Sequence, residues 1–182
     1  MAFISLPRPA LGLSVMLALV GSTTTGWSQQ TPVDQLYVNP VYGWSVTYPK
    51  DWKVDNQDPA FVKIQPPPNL PQGLIGFHSV ARSGDKSLDE FADRMMAHYA
   101  GRSRGRGRRF EVLSRRSMVL PDGTPVVEIV NLLGTGVVGK SRKIFALLEG
   151  KAFTIDAETY LDAWPRLEVY FDRMINSFTV RH

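Results

Sequence analysis

Residues Gly134–Ser141 read GTGVVGKS. They fit the phosphate-loop pattern G-x-x-x-x-G-K-[ST], and their first six fit G-x-G-x-x-G. The chemistry would be nucleotide binding: backbone N–H groups around phosphates, with Lys140 on the terminal ones. That chemistry needs a strand before the glycines and a helix N-terminus after them. Val126–Leu133 supplies a strand. After Lys140 only Ser141–Glu149 is available before Gly150, and Ile144, Ala146 and Leu148 alternate as in a strand while Ile144, Leu147 and Leu148 also fit a helix. The pattern alone leaves both open. Three arguments decide for a hairpin. Glu149-Gly-Lys151 makes the next run an antiparallel neighbour, whereas phosphate-loop folds are parallel. Such folds alternate strands with helices, and here the helical stretches flank the strand set. An exported chain also meets little ATP. The expectation is a strand-to-strand connection with Lys140 solvated at its edge, and no nucleotide partner.

The second unusual stretch is Gly101–Arg109, GRSRGRGRR. Seven arginines against Glu111 give residues 101–116 a formal +6, while the whole chain is only +4. Without Arg8 of the N-terminal segment the chain is +3, so its remainder is −3 and the basicity is one local patch. Arg102, Arg104, Arg106, Arg108 and Arg109 alternate largely with Gly and Ser, which are poor in helices. They are expected on a mobile loop that meets an anionic surface such as lipid headgroups or an acidic protein face. Arginine–glycine runs also contact RNA. Export and the scarcity of interleaved aromatics argue against a nucleic-acid partner.

Other reactive residues are sparse. The histidines are His78, His98 and His182, without a His-x-x-x-His or His-Glu pair, and there is no cysteine. No metal site, cofactor or catalytic set is readable. The acidic group Asp85, Asp89, Glu90 and Asp93 lacks the spacing of a calcium loop and belongs in a first helical turn.

The elements that must position these residues follow from periodicity. Trp44, Val46 and Tyr48 alternate with Ser45 and Thr47 in a strand stopped by Pro49. Residues 60–65 and 74–81 are two more strands, separated by the proline-rich loop 66–71. Ser87-Leu-Asp-Glu90 is a capping box, and Leu88, Phe91, Ala92, Met95 and Tyr99 share a helix face that Gly101 ends. Runs 125–133, 140–149 and 152–159 are strand-sized. A last helix covers about 161–177, with Pro165 in its first turn and Trp164, Leu167, Phe171, Met174, Ile175 and Phe178 on one face. Trp44, Trp52, Trp164 and the phenylalanines are expected in the core. This is an α/β composition of one domain, 43% hydrophobic.

The N-terminus is different. Arg8 is the only charge before Asp34; an apolar run 10–20 and a small-residue stretch 21–30 follow. That is the layout of a secretory signal over 1–28, with Gly26 and Ser28 before the cut and Gln29 after it. Residues 29–41 are expected to be a flexible lead, and the destination is periplasmic, lumenal or extracellular.

Several stretches resemble the PsbP-like proteins. Tyr42–Trp52 is similar to their aromatic opening strand ending in Pro-x-x-Trp. Asp122-Gly123 opens the meander, Gly150–Ala157 resembles their Gly-Lys-x-(Tyr/Phe)-Thr strand, and Trp164, Phe171 and Ser177–Val180 resemble the last helix and its Ser-Phe-x-Val tail. The resemblance spans most of 36–180 and places the domain at 42–180. It implies a Mog1/PsbP-like α/β/α sandwich, a central antiparallel sheet with helices on its faces. It also implies a non-enzymatic extrinsic module of a membrane complex, photosystem II in the best-known members, which help retain calcium and chloride. The arginine run is not part of that pattern, and no metal ligands transfer. The competing expectation is an extracytoplasmic enzyme, a hydrolase or a nucleotide-binding protein using 134–141.

Overall fold

The structure is a computed structural model and describes residues 34–80 and 83–180. The expected signal, and residues 29–33 of the expected lead, lie outside the described residues. The described part of that lead is not a loop. Asp34–Asn39 forms β1, paired antiparallel with β2, Trp44–Pro49, from Asp34 opposite Pro49 to Asn39 opposite Trp44. Its alternation, Leu36 out and Tyr37 against Trp44, is short and was masked by the flanking prolines.

Eight more strands and two helices follow: β3 Lys53–Asp58, β4 Phe61–Gln65, β5 Gly73–Val80, α1 Leu88–Gly105, β6 Arg109–Val119, β7 Pro125–Thr135, β8 Val137–Leu148, β9 Lys151–Tyr160, α2 Trp164–Ser177 and β10 Thr179–Val180. β1, β2 and β10 form one sheet; the other seven form a second, in the order β3-β4-β5-β9-β8-β7-β6, with every pairing antiparallel. Polar β3 is an edge strand, a position that tolerates the sequence KVDNQD.

The pleat of β7–β9 sorts the core. Val126, Ile144, Ala146, Phe153, Ile155 and Ala157 pack with the apolar face of α2, where Trp164, Leu167, Phe171, Met174 and Ile175 are buried. Residues of the other parity, Val127, Ile129, Phe145 and Ala152, pack with Phe91, Ala92 and Met96 of α1. Trp44 and Phe178 join the α2 cluster at 0% and 1% exposure, and Trp52, Trp164 and Phe171 are core as expected, whereas Phe61 and Phe110 are only half-buried.

The expected capping box is present with a shifted partner. Ser87 Oγ accepts from the Glu90 N–H at 3.1 Å, and Glu90 accepts from the Lys86 N–H at 2.9 Å. The neighbouring acids serve the fold as well: Asp85 pairs with Arg94, and Asp89 and Asp93 both pair with Arg115 of β6.

Gly101 does not end α1. The helix runs four residues further, to Gly105. Its stop is a Schellman turn: the Gly107 N–H donates to Arg104 O and the Arg108 N–H to Ser103 O, both at 2.9 Å. Gly107, at φ +65°, is the glycine in the left-handed conformation, whereas Gly101 and Gly105 keep helical backbone. Arginine is a good helix former, and Arg102 and Arg104 meet the negative end of the helix dipole. These terms offset the two glycines. The expected mobile loop is therefore a helical turn, a cap and the start of β6.

Candidate functional site

The stripe of α1 that faces the sheet changes character along its length. Phe91, Ala92, Met95 and Met96 are apolar. The next positions at helical spacing are Tyr99, Arg102, Ser103 and Arg106. The sheet beneath changes in step. On the α1-facing parity of β7, β8 and β9, Val127 and Ile129 give way to Asn131, Phe145 to Lys143 and Ser141, and Ala152 to Asp156 and Glu158. The register sets these in two rows. Asn131 lies opposite Ser141 and Ser141 opposite Glu158; Lys143 lies opposite Asp156 in the row above. Helix and strands together line a half-open cavity of about 160 Å³, with Arg108 from the cap at its edge. Arg108, Leu133 and Glu158 are shared with a wider cleft of about 950 Å³ that runs between the proline-rich loop 66–71 and the β7–β8 turn.

Inside, charges are matched. Lys143, 3% exposed, donates to Asp156, and Ser141 Oγ donates to the same carboxylate at 2.8 Å. The Lys143 ammonium also lies 4.2 Å from the centre of the Tyr99 ring, a cation–π contact. Burial pushes the Tyr99 hydroxyl pKa up, with Asp156 adding to it. Burial, reinforced by Asp156, also raises the Glu158 carboxyl above its usual range, while Lys143 and Arg108 oppose the shift. Asn131 is fully buried, and neither its amide nitrogen nor its amide oxygen has a hydrogen-bond partner. His78 stands two strands from Lys143, stacked on Phe61 at 3.8 Å between ring centres; burial lowers its pKa. Phe61 occupies the ring face of His78, so the imidazole is outside the cavity wall.

The five predicted arginines divide. Arg102, Arg106 and Arg108 line the cavity. Arg104 projects from the last turn of α1 into solvent, and Arg109 pairs with Glu111. Among the described residues, no carboxylate stands within ion-pair distance of the first four, so their charge is available to an anion. Sequence reasoning did not single out Asn131, Lys143 or Glu158.

Of residues 134–141, Ser141 joins this arrangement through Asp156, and the others lie outside it. They end β7, turn tightly at Gly136 and begin β8, as the hairpin expectation has it. β8 continues without a helix, so no helix N-terminus meets the glycines. Lys140 is not solvated at the loop edge. It points to the α2 side, half-buried, with its ammonium 4.4 Å from the centre of the Trp164 ring. Its aliphatic stem covers apolar surface there while its charge finds the π face.

No family model matches the chain. CyanoP of Thermosynechococcus vestitus is 26% identical over 186 aligned positions, covering 94% of this chain and 96% of that protein. The solution structure of cyanobacterial PsbP (CyanoP) from Synechocystis superposes with a TM-score of 0.66 at 18% identity, over 85% of this chain and 96% of the other. A Pseudomonas aeruginosa protein of unknown function matches at a TM-score of 0.57 and 13% identity, over 82% and 98% of the two chains. The structural matches carry the fold, and the CyanoP sequence match, which runs nearly end to end, makes the chain PsbP-like.

Proposed function

We propose that the chain is an exported, non-enzymatic PsbP-like binding module of the Mog1/PsbP sandwich type, which docks peripherally on an anionic membrane surface through the end of α1. The observation that carries this reading is the set of unpaired arginines, Arg102, Arg104, Arg106 and Arg108, fixed side by side on a capped helix end. An ordered cluster loses less conformational entropy on docking than a mobile loop would. Each basic residue near an anionic bilayer contributes about 1 kcal/mol, within a Debye length of roughly 8–10 Å. Four or five such residues give weak, salt-sensitive attachment. The test is fractionation of cells producing the full chain. The protein should sediment with membranes at low salt, leave them as salt rises, and stay in the supernatant when Arg102, Arg104, Arg106, Arg108 and Arg109 become Ser. A serine variant that sediments like the parent overturns the reading.

One observation favours the alternative of an extracytoplasmic enzyme: Lys143, Asp156, Glu158 and Tyr99 converge on one cavity. Against it, Asp156 is held by both Lys143 and Ser141, and neither bond leaves a free base beside a nucleophile. Hydrolysis of small ester or phosphoester probes by the purified chain, lost in Lys143→Met, would favour the enzyme over the module.

A further inference from the structure

We propose that the cavity under the last turns of α1 binds one small oxyanion, a phosphate or carboxylate group, between Arg102, Arg106 and Arg108 and the amide of Asn131. Two independent observations meet there. The first is Asn131, fully buried, lining the cavity with both polar ends unpartnered. A buried amide without partners is costly, and Asn131 stands on a face of β7 whose other residues are Val127, Ile129 and Leu133. The second is the three guanidinium groups at the cavity edge, which lack carboxylate partners among the described residues and suit bidentate contact with oxyanions.

The remaining lining is compatible. Asp156 is neutralised by Lys143, so it does not repel an anion as a free carboxylate would. Glu158 is the remaining carboxylate of the lining, and the charges of Lys143 and Arg108 oppose its own. The helix end directs its negative pole toward the same space, and three guanidinium groups outweigh it. A cavity of about 160 Å³ has room for roughly five waters at about 30 Å³ each, or for one tetrahedral or carboxylate group with its first waters. This site shares Arg102, Arg106 and Arg108 with the docking surface proposed above and differs from it in needing Asn131, which a surface contact does not reach.

Phosphate chemistry has two sources, a free solute and a lipid headgroup, and one experiment separates them. The full chain is titrated with inorganic phosphate at constant ionic strength, following thermal unfolding and the Asn131 side-chain amide cross-peak in a nitrogen–proton correlation spectrum. The expected result is a saturable rise in Tm with a saturable displacement of that cross-peak. Asn131→Leu should lower phosphate affinity about tenfold or more, the usual consequence of losing a hydrogen bond to a charged group. Its own Tm should rise, because the unpartnered amide is gone. Arg106→Ser with Arg108→Ser should lower affinity while leaving the Asn131 cross-peak in place. If phosphate then competes with phosphatidylglycerol vesicles for the wild type, the headgroup is the source; if vesicle binding is unaffected by phosphate and by Asn131→Leu, a free solute is. A non-saturating Tm rise shared by Asn131→Leu, or an unmoved cross-peak, overturns the proposal and leaves a water-filled cavity. The cross-peak is read on the wild type, so the test survives a variant that does not fold. Failure of vesicle binding alone removes the docking reading and not this one.

Discussion

Gly134 shows why the sequence Gly134–Ser141 contains its glycines. Its backbone has φ +136°, a region L-residues avoid, and a Cβ there would overlap the Val137 carbonyl across the turn. The glycine is demanded by the hairpin and not by a phosphate. Gly134→Ala should therefore destabilise the chain by about 1–3 kcal/mol, read by chemical denaturation; a substitution as silent as a surface change would mean that the turn is built differently. Glu158 supplies the pH counterpart. Its carboxyl pKa is raised, so the folded state holds the proton more tightly than the unfolded one. Its stabilising effect is complete at low pH and is lost as pH rises through the usual carboxylate range toward the folded value. Glu158→Gln removes that loss, and its Tm should gain on the parent steadily above about pH 4.5. A gap that shrinks with rising pH would contradict the burial of this group.

Helix α1 is where sequence reading and structure part most clearly, and where a pair of glycines can be set against each other. A Cβ on Gly101 meets nothing within 4 Å, and its backbone is helical. Gly101→Ala should stabilise by about 0.5–1 kcal/mol. Gly107→Ala, placed in the left-handed cap, should destabilise by about 1 kcal/mol. Opposite signs in equilibrium unfolding check the helix end; the same sign for both would restore the loop. The apolar stripes of α1 and α2 and the alternation of β2 were legible because burial imposes a period; β7, β8 and β9 were legible as strand-sized runs between turns, with the pattern of β8 alone fitting a helix as well. Phe171→Ala should cost about 3–5 kcal/mol in thermal or chemical unfolding for that reason, since Phe171 is fully buried between Trp52 and Trp164. The end of α1 was not legible, because three glycines within seven residues give no local sign of which one turns left-handed. The candidate site was illegible for another reason. Asn131, Ser141, Lys143, Asp156 and Glu158 sit on three strands, and only the register unites them. The one local sign was polar residues at alternate positions of otherwise apolar strands, continuing a parity that had just been core.

At the scale of the molecule the charge is polarised. Residues 101–116 carry a formal +6, and the rest of 29–182 carries −3. Arg109, Arg115 and Arg116 are held by Glu111, Asp89, Asp93 and Glu128, so the free excess is that of Arg102, Arg104, Arg106 and Arg108, and on the proposed docking it would orient the approach to an anionic surface as well as drive it. The polarity is compact because the Schellman cap holds the arginines on the α1 end and the β6 edge, next to the cavity they share. On the proposed docking, binding and orientation would both follow from one local patch, which the helix cap and the sheet hold in place.

The most direct measurement is sedimentation with lipid vesicles of defined composition. The account predicts binding of the full chain to phosphatidylglycerol vesicles at low ionic strength, progressive loss as salt rises, and none when Arg102, Arg104, Arg106, Arg108 and Arg109 are all Ser. Equal binding to neutral phosphatidylcholine vesicles, or no binding to anionic vesicles at low salt, would contradict it.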